Sequence, residues 1–320
     1  MAVISDKYGR TFRTLRVSLL PHCNLGCIYC VSGDEELKTA NTLHEGRSLE
    51  VEELLAIIRR LHGQLHLENI RLTGGEPLLY PGLASLVRGI RTAGIPAIRL
   101  TTNGFLLERH AASLKEAGLK AVNVSLDAVE EAVFFQMSRR HSVDRVIRGI
   151  DEAIRVGLDV KLNAVVMKGV NDSQILPLLE LAFSRGLRLR FLEIMAMGHL
   201  YRDAGRFLVS QEELLRIIGV RYRLEPLTRT ASSTARYWRT EEGHVFGIIA
   251  NETEPFCQDC DRLRLDSQGR IYGCLSSNHP IGLELGEDEE TWNRKLGAAL
   301  EQKQPLRFTG SDLSMLKIGG

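Results

Sequence analysis

From residue 15 to about 195 the chain alternates short apolar runs with longer amphipathic ones. The apolar runs are Leu15–Leu20, Asn69–Thr73, Ala97–Thr102, Ala121–Leu126, Asp159–Val166 and Arg188–Met195. They are rich in Val, Ile and Leu, as strands covered on both faces are. Near 50–62, 82–93, 106–117, 143–156 and 173–185 apolar residues return at helical spacing, with Leu54, Leu55, Ile58 and Leu61 marking the first stripe. Ser48 with Glu50–Glu53 predicts the start of that helix. Gly94, Gly118, Gly157 and Gly186 stand where left-handed C-caps are wanted. Six strand–helix units predict a parallel sheet with right-handed crossovers. The expected fold is α/β, an incomplete (β/α)6 TIM-like barrel with its chemistry at the C-terminal strand ends.

After residue 195 the alternation stops. Ala196–Ser210 reads as loop, Gln211–Ile218 as a short helix and Leu224–Ser233 as polar and turn-rich. Ala235–Thr240 and His244–Ile249 flank Glu-Glu-Gly, and Arg262–Asp266 and Arg270–Cys274 flank Ser-Gln-Gly, two predicted hairpins. Two regions are expected: the partial barrel over 1–203, and a C-terminal α+β extension over 204–320.

The 320 residues carry a net charge of +1, so no global field draws the protein to nucleic acid or membrane. An anionic ligand must be gripped by local cations. No apolar run is long enough to span a bilayer and the first ten residues have no apolar signal segment, so a cytoplasmic location is expected. The six cysteines fall into two triples, 23/27/30 and 257/260/274. That grouping predicts metal ligation in a reducing compartment rather than disulfides.

Cys23, Cys27 and Cys30 are spaced C-x3-C-x2-C directly after the first strand. Three thiolates can hold three irons of a cubane and leave the fourth open, whereas clusters that only carry electrons normally have four protein ligands. The alternative is a zinc site completed by His22 or His44. Cys257, Cys260 and Cys274 converge if the second hairpin forms, and suit either a cluster or a Cys3His zinc site with His279. Arg262 and Arg264, two apart on a strand, form either a clamp for a phosphate-rich ligand or a solvated basic face. After the second strand, the glycines of Thr73-Gly74-Gly75-Glu76-Pro77 permit close backbone approach to a ligand, to which Glu76 adds an acceptor. Polar residues end the third strand (Thr101, Thr102, Asn103) and the fourth (Ser125, Asp127). Lys161 and Asn163 share one face of the fifth, and Lys161 calls for an anionic partner. Strict alternation in the sixth puts Arg190, Leu192 and Ile194 opposite Phe191, Glu193 and Met195.

The first triple, with Tyr29 before its last cysteine and Gly74-Gly75-Glu76-Pro77 downstream, resembles the radical S-adenosylmethionine superfamily. Adding the second triple, Arg262-x-Arg264-Leu and the terminal Gly319-Gly320, the whole chain resembles the GTP 3′,8-cyclase family of molybdenum cofactor biosynthesis. The resemblance implies two [4Fe-4S] clusters and S-adenosylmethionine, with GTP converted to 3′,8-cyclo-7,8-dihydroguanosine 5′-triphosphate. It implies Tyr29, Gly74, Gly75, Glu76, Ser125 and Met195 for S-adenosylmethionine, and Arg16, Arg71, Thr101, Lys161, Arg262 and Arg264 for GTP. Arg16, Arg262, Arg264, Gly319 and Gly320 are the implied catalytic residues. The implied partners are a reductant protein that the sequence does not identify, the downstream cyclic pyranopterin monophosphate synthase, and a second copy in a homodimer. This chain departs from the family pattern at Pro21-His22, Gly26 and Val31-Ser32 around the first triple. The rival readings are a radical enzyme that modifies peptides and a zinc-bound interaction module.

Overall fold

The computed structural model describes residues 4–33 and 47–318. The predicted strands form as β1 (Thr14–Ser18), β2 (Asn69–Thr73), β3 (Ala97–Thr102), β4 (Ala121–Ser125), β5 (Asp159–Val166) and β6 (Arg188–Glu193). The predicted helices form as α1 (Val51–Leu65), α2 (Leu83–Thr92), α3 (Leu107–Ala117), α5 (Val143–Arg155) and α6 (Ile175–Ser184). An extra helix, α4 (Glu131–Ser138), follows β4. It is only eight residues long, too short to display a helical stripe. The four predicted C-terminal glycines adopt φ between 64 and 111°. At the start of α1 the cap is Glu50 rather than Ser48. Glu53 accepts from the Glu50 N–H at 2.9 Å and is braced by Arg47 at 2.7 Å. Ser48 stands two residues too early to reach the free amides of the first turn.

The C-terminal region adds α7 (Gln211–Gly219), β7 (Leu224–Pro226), β8 (Arg236–Thr240), β9 (Val245–Ile249), β10 (Arg262–Leu265), β11 (Arg270–Tyr272), β12 (Ile281–Gly282), α8 (Glu289–Glu301) and α9 (Met315–Ile318). Its strands join the barrel sheet at both edges, giving twelve strands in the order β12-β11-β10-β1-β2-β3-β4-β5-β6-β9-β8-β7. β10 lies parallel to β1, and β9 parallel to β6. The parallel part is therefore eight strands wide, two more than the strand–helix repeat predicts, and antiparallel hairpins finish each edge. No pairing joins β12 to β7 among the described residues, so the sheet is an open, partial barrel.

Leu15, Val17, Ile70, Leu72, Leu100, Val122, Val124 and Leu162 are fully buried and form the core with the helices. The alternate strand positions face the barrel interior. α8 fixes the C-terminal region to α1: the indole of Trp292 donates to Gln64 at 2.9 Å and lies under Arg60, 4.1 Å away. Among the described residues, no helix is long and apolar enough to cross a membrane.

Candidate active site

The loop after β1 carries Cys23, Cys27 and Cys30, and backbone from three sides holds it. Gly75 N–H donates to Leu20 O at 2.7 Å and Glu76 N–H to His22 O at 2.6 Å. From α4, Gly26 and Ile28 N–H reach the carbonyls of Ser138 and Met137 at 2.9 Å each. Arg139 donates to the carbonyls of Gly26 and Val31 (3.1 and 3.3 Å), and Arg140 to that of Asn24 (2.9 Å). A Cβ on Gly75 would lie 1.9 Å from the His22 carbonyl oxygen, so this crossing admits only glycine.

Glu76 does not serve as a ligand acceptor in the way its position suggests. It is fully buried, and its carboxylate accepts from Leu78 N–H (3.0 Å), Thr102 hydroxyl (2.5 Å) and Asn103 N–H (2.8 Å). It ties the glycine turn to the end of β3 and leaves the cavity wall to Gly74 and Gly75. Burial pushes its carboxyl up to about 7, against the pull of those three bonds.

The second triple is assembled by the β10–β11 hairpin. Arg264 pairs with Tyr272, which returns Cys274 towards Cys260 as expected. Arg10 fixes the loop by donating to the carbonyls of Cys257 (2.5 Å) and Gln304 (3.1 Å). Asp259, between the first two cysteines, accepts from Arg229 (2.8 Å) and Ser232 N–H (2.9 Å).

Both triples line one cavity of about 720 Å³, whose floor is basic. The strand register sets Arg264, Arg16, Arg71 and Arg99 side by side across β10, β1, β2 and β3. Lys161, Arg190 and Arg262 line the same space. Arg71 reaches Thr101 at 3.4 Å, Arg190 donates to Asn163 at 2.9 Å and Lys161 meets Asp159 at 3.2 Å. Arg16 Nε and Arg262 Nη2 are buried with no hydrogen-bond partner among the described residues. Desolvation pushes Arg71 down to about 9, with Arg190 and Arg99 adding, and Arg264 down to about 10. A row of guanidinium groups on adjacent strands at one cavity floor suits an anion that carries several negative charges.

On the opposite wall, Tyr29 donates to Asp127 at 2.9 Å, and Asp127 also accepts from Val165 N–H at 2.8 Å. Ser125 and Met195 line the cavity too. The strict alternation predicted for Met195 fails because β6 ends at Glu193. The chain turns there, which buries Ile194 and puts Met195 on the cavity side with Arg190 and Leu192. Gly319, Gly320 and His44 lie outside the described residues. Met315 and Leu316 of α9 do reach the cavity. His22 and His279 are not part of its wall.

None of the six cysteines is in a disulfide. Burial pushes the Cys23 thiol up to about 12 and holds Cys27 well above the usual thiol range, a state that coordination to a metal reverses. Among the described residues, no three Cys, His, Asp or Glu are grouped to hold one metal ion. A cubane asks for something else, since each thiolate meets its own iron. Three thiols on one loop, facing a cavity beside Tyr29, fit that demand.

Sequence reasoning missed Arg99, Arg190, Asn123, Tyr237, Lys303 and the Thr230–Thr234 loop, all in the wall. A signal existed for some of them. Arg16, Arg71, Arg99, Lys161, Arg190 and Arg264 each occupy the third position of their strand.

Residues 17–182 match the model of the radical SAM superfamily, and residues 187–308 that of Molybdenum Cofactor Synthesis C. A GTP 3′,8-cyclase of Synechocystis is 39% identical over 318 residues, covering 98% of this chain and 94% of the relative. One from Corynebacterium glutamicum is 37% identical, covering 99% and 89%. This chain belongs to the GTP 3′,8-cyclase family. Among solved structures, Streptococcus suis SuiB bound to S-adenosylmethionine is similar in fold, with a TM-score of 0.61 at 16% identity, covering 92% of this chain and 67% of that one. Native anSMEcpe with bound AdoMet and Cp18Cys peptide gives a TM-score of 0.58 at 13% identity, covering 91% of this chain and 81% of that one. Gly26 and Val31 present their carbonyls to Arg139, and Val31 is buried.

Proposed function

We propose that the protein converts GTP to 3′,8-cyclo-7,8-dihydroguanosine 5′-triphosphate, the first step of molybdenum cofactor biosynthesis. The observation that carries this reading is the arginine row of β10, β1, β2 and β3, set between two cysteine triples in one cavity. Cys23, Cys27 and Cys30 would hold a [4Fe-4S] cluster, and Cys257, Cys260 and Cys274 a second one. When bound and reduced by one electron, that first cluster would supply, with S-adenosylmethionine, a 5′-deoxyadenosyl radical able to take hydrogen from a sugar carbon, methionine being the leaving group.

The protein's part is to bind, orient and exclude water. Gly74 and Gly75 bring bare backbone to the S-adenosylmethionine side, with Tyr29, Ser125 and Met195 around it. Arg71, Thr101 and Lys161 take the triphosphate, joined by Arg16, Arg262 and Arg264. The last three, with Gly319 and Gly320, act on the substrate after hydrogen is removed. The division of labour follows the chain: 1–203 holds the radical-generating half and four of the six clamp residues, 204–320 the second cluster with Arg262 and Arg264. The reaction belongs in a reducing cytoplasm, with an electron-donor protein upstream, cyclic pyranopterin monophosphate synthase downstream, and a homodimer as the assembly.

The test is an anaerobic assay with S-adenosylmethionine and dithionite, with and without GTP, read by mass spectrometry. Deoxyadenosine formation stimulated by GTP, together with a new GTP isomer, is expected. Deoxyadenosine that ignores GTP would redirect the substrate search to peptides and other nucleotides.

A further inference from the structure

One buried cation in the cavity wall has no part in the assignments above. Lys303 follows α8 and is 4% exposed. Its Nζ lies 3.5 Å from Cys260 Sγ, donates to the carbonyl of Arg262 and sits 4.7 Å from the Phe12 ring centroid. A buried ammonium requires partners. These three are a cysteine sulfur, a backbone carbonyl and an aromatic face, and none of them is a carboxylate.

At the first triple, Cys23 Sγ accepts from Leu25 N–H at 3.4 Å and from Asn103 Nδ2 at 3.7 Å. Glu76 and Asp127 are the acidic groups near it. Hydrogen bonds to the sulfurs and local charge are what set the potential of an iron–sulfur cluster. At the second triple an ammonium and the Arg262 guanidinium both stand beside Cys260.

We propose that Lys303 is a positioning residue for the second triple, whose N–H···S bond to Cys260 raises the reduction potential of the iron–sulfur cluster held there. The inference rests on the reading that this triple binds a cluster. In that setting Lys303 also braces β10 at Arg262, so the same side chain fixes the start of the clamp strand and the electronic state of the cluster beside it.

The test uses the full-length chain with Cys23, Cys27 and Cys30 replaced by Ala, so that all iron belongs to the second triple. Metal analysis comes first: about four irons per chain are expected, while zinc in their place would sink the cluster reading itself. Lys303→Met should then keep its iron but show a reduced-to-oxidised ratio about tenfold lower at a fixed potential, ~59 mV for a one-electron couple. Lys303→Arg should recover most of the shift. An unchanged potential at full iron content overturns the proposal. A second readout needs no substitution at Lys303. In the wild-type holoenzyme labelled with 15Nζ-lysine, the reduced second cluster should show a lysine nitrogen coupling in pulsed EPR. Its absence also overturns the proposal.

Discussion

Two residues of the glycine turn decide how the cluster loop sits. Gly75→Ala would drive a methyl into the His22 carbonyl, a backbone atom that cannot rotate away. The expected result is an S-adenosylmethionine cleavage rate at least tenfold lower, with the fold retained by circular dichroism; a near-normal rate would show that the loop can move aside. Glu76→Gln tests the carboxylate behind the turn. An amide offers one acceptor oxygen where Thr102, Asn103 N–H and Leu78 N–H need two, so a donor meets a donor. Leaving a buried N–H unsatisfied costs about 1–3 kcal/mol. A denaturant midpoint lowered to match is expected, and an unchanged midpoint would mean that the site relaxes. The sequence made the glycine turn legible but not the use of Glu76, because the partners that consume its oxygens lie a strand away.

At the scale of elements, α5 begins without a capping side chain of its own. Glu131 of α4 does that work from outside, accepting from Ser142 N–H (2.8 Å) and Val143 N–H (2.9 Å), with His141 at 3.0 Å. Those bonds hold the carboxyl below its usual range. A depressed folded pKa contributes stability above the unfolded pKa, and that contribution is lost as pH falls through the folded value. Glu131→Gln should therefore melt lower than wild type at pH 6, and the gap should close on acidification below the ordinary carboxylate range. A gap that persists in acid would assign the effect to shape rather than charge. Long regular elements such as α1 and β1–β6 were legible from period and glycine caps. α4 was too short to show a period. The parallel docking of β9 and β10 on opposite edges was not legible at all, since strand periodicity says nothing about which edge a strand will find.

At the scale of the whole molecule, the barrel interior trades stability for a ligand. Arg264, Arg16, Arg71 and Arg99 stand in adjacent strands, and like charges placed directly across a sheet repel. Desolvation lowers both Arg71 and Arg264, and repulsion adds to it, from Arg190 and Arg99 at Arg71 and from Arg262 at Arg264. For a base whose folded pKa lies below its unfolded one, the penalty is absent above the unfolded pKa and fully present below the folded one. With Arg71 at about 9, the penalty is therefore in force at neutral pH. Arg71→Met keeps an unbranched apolar stem and removes the guanidinium charge. Without nucleotide it should raise the melting temperature by about 2 °C or more. With GTP the order should reverse, because a ligand at 100 times its Kd adds about 2.7 kcal/mol only to the form that binds it, and the variant should bind GTP at least tenfold more weakly. Inorganic triphosphate should show the same loss and guanosine none, which places the effect on the phosphates. Salt should narrow the difference between the two proteins, since added ions screen the row and compete for it. A variant that is less stable in both states would mean that Arg71 is held by bonds worth more than the repulsion it suffers, and the row would then be a structural feature of the sheet rather than a preformed anion site.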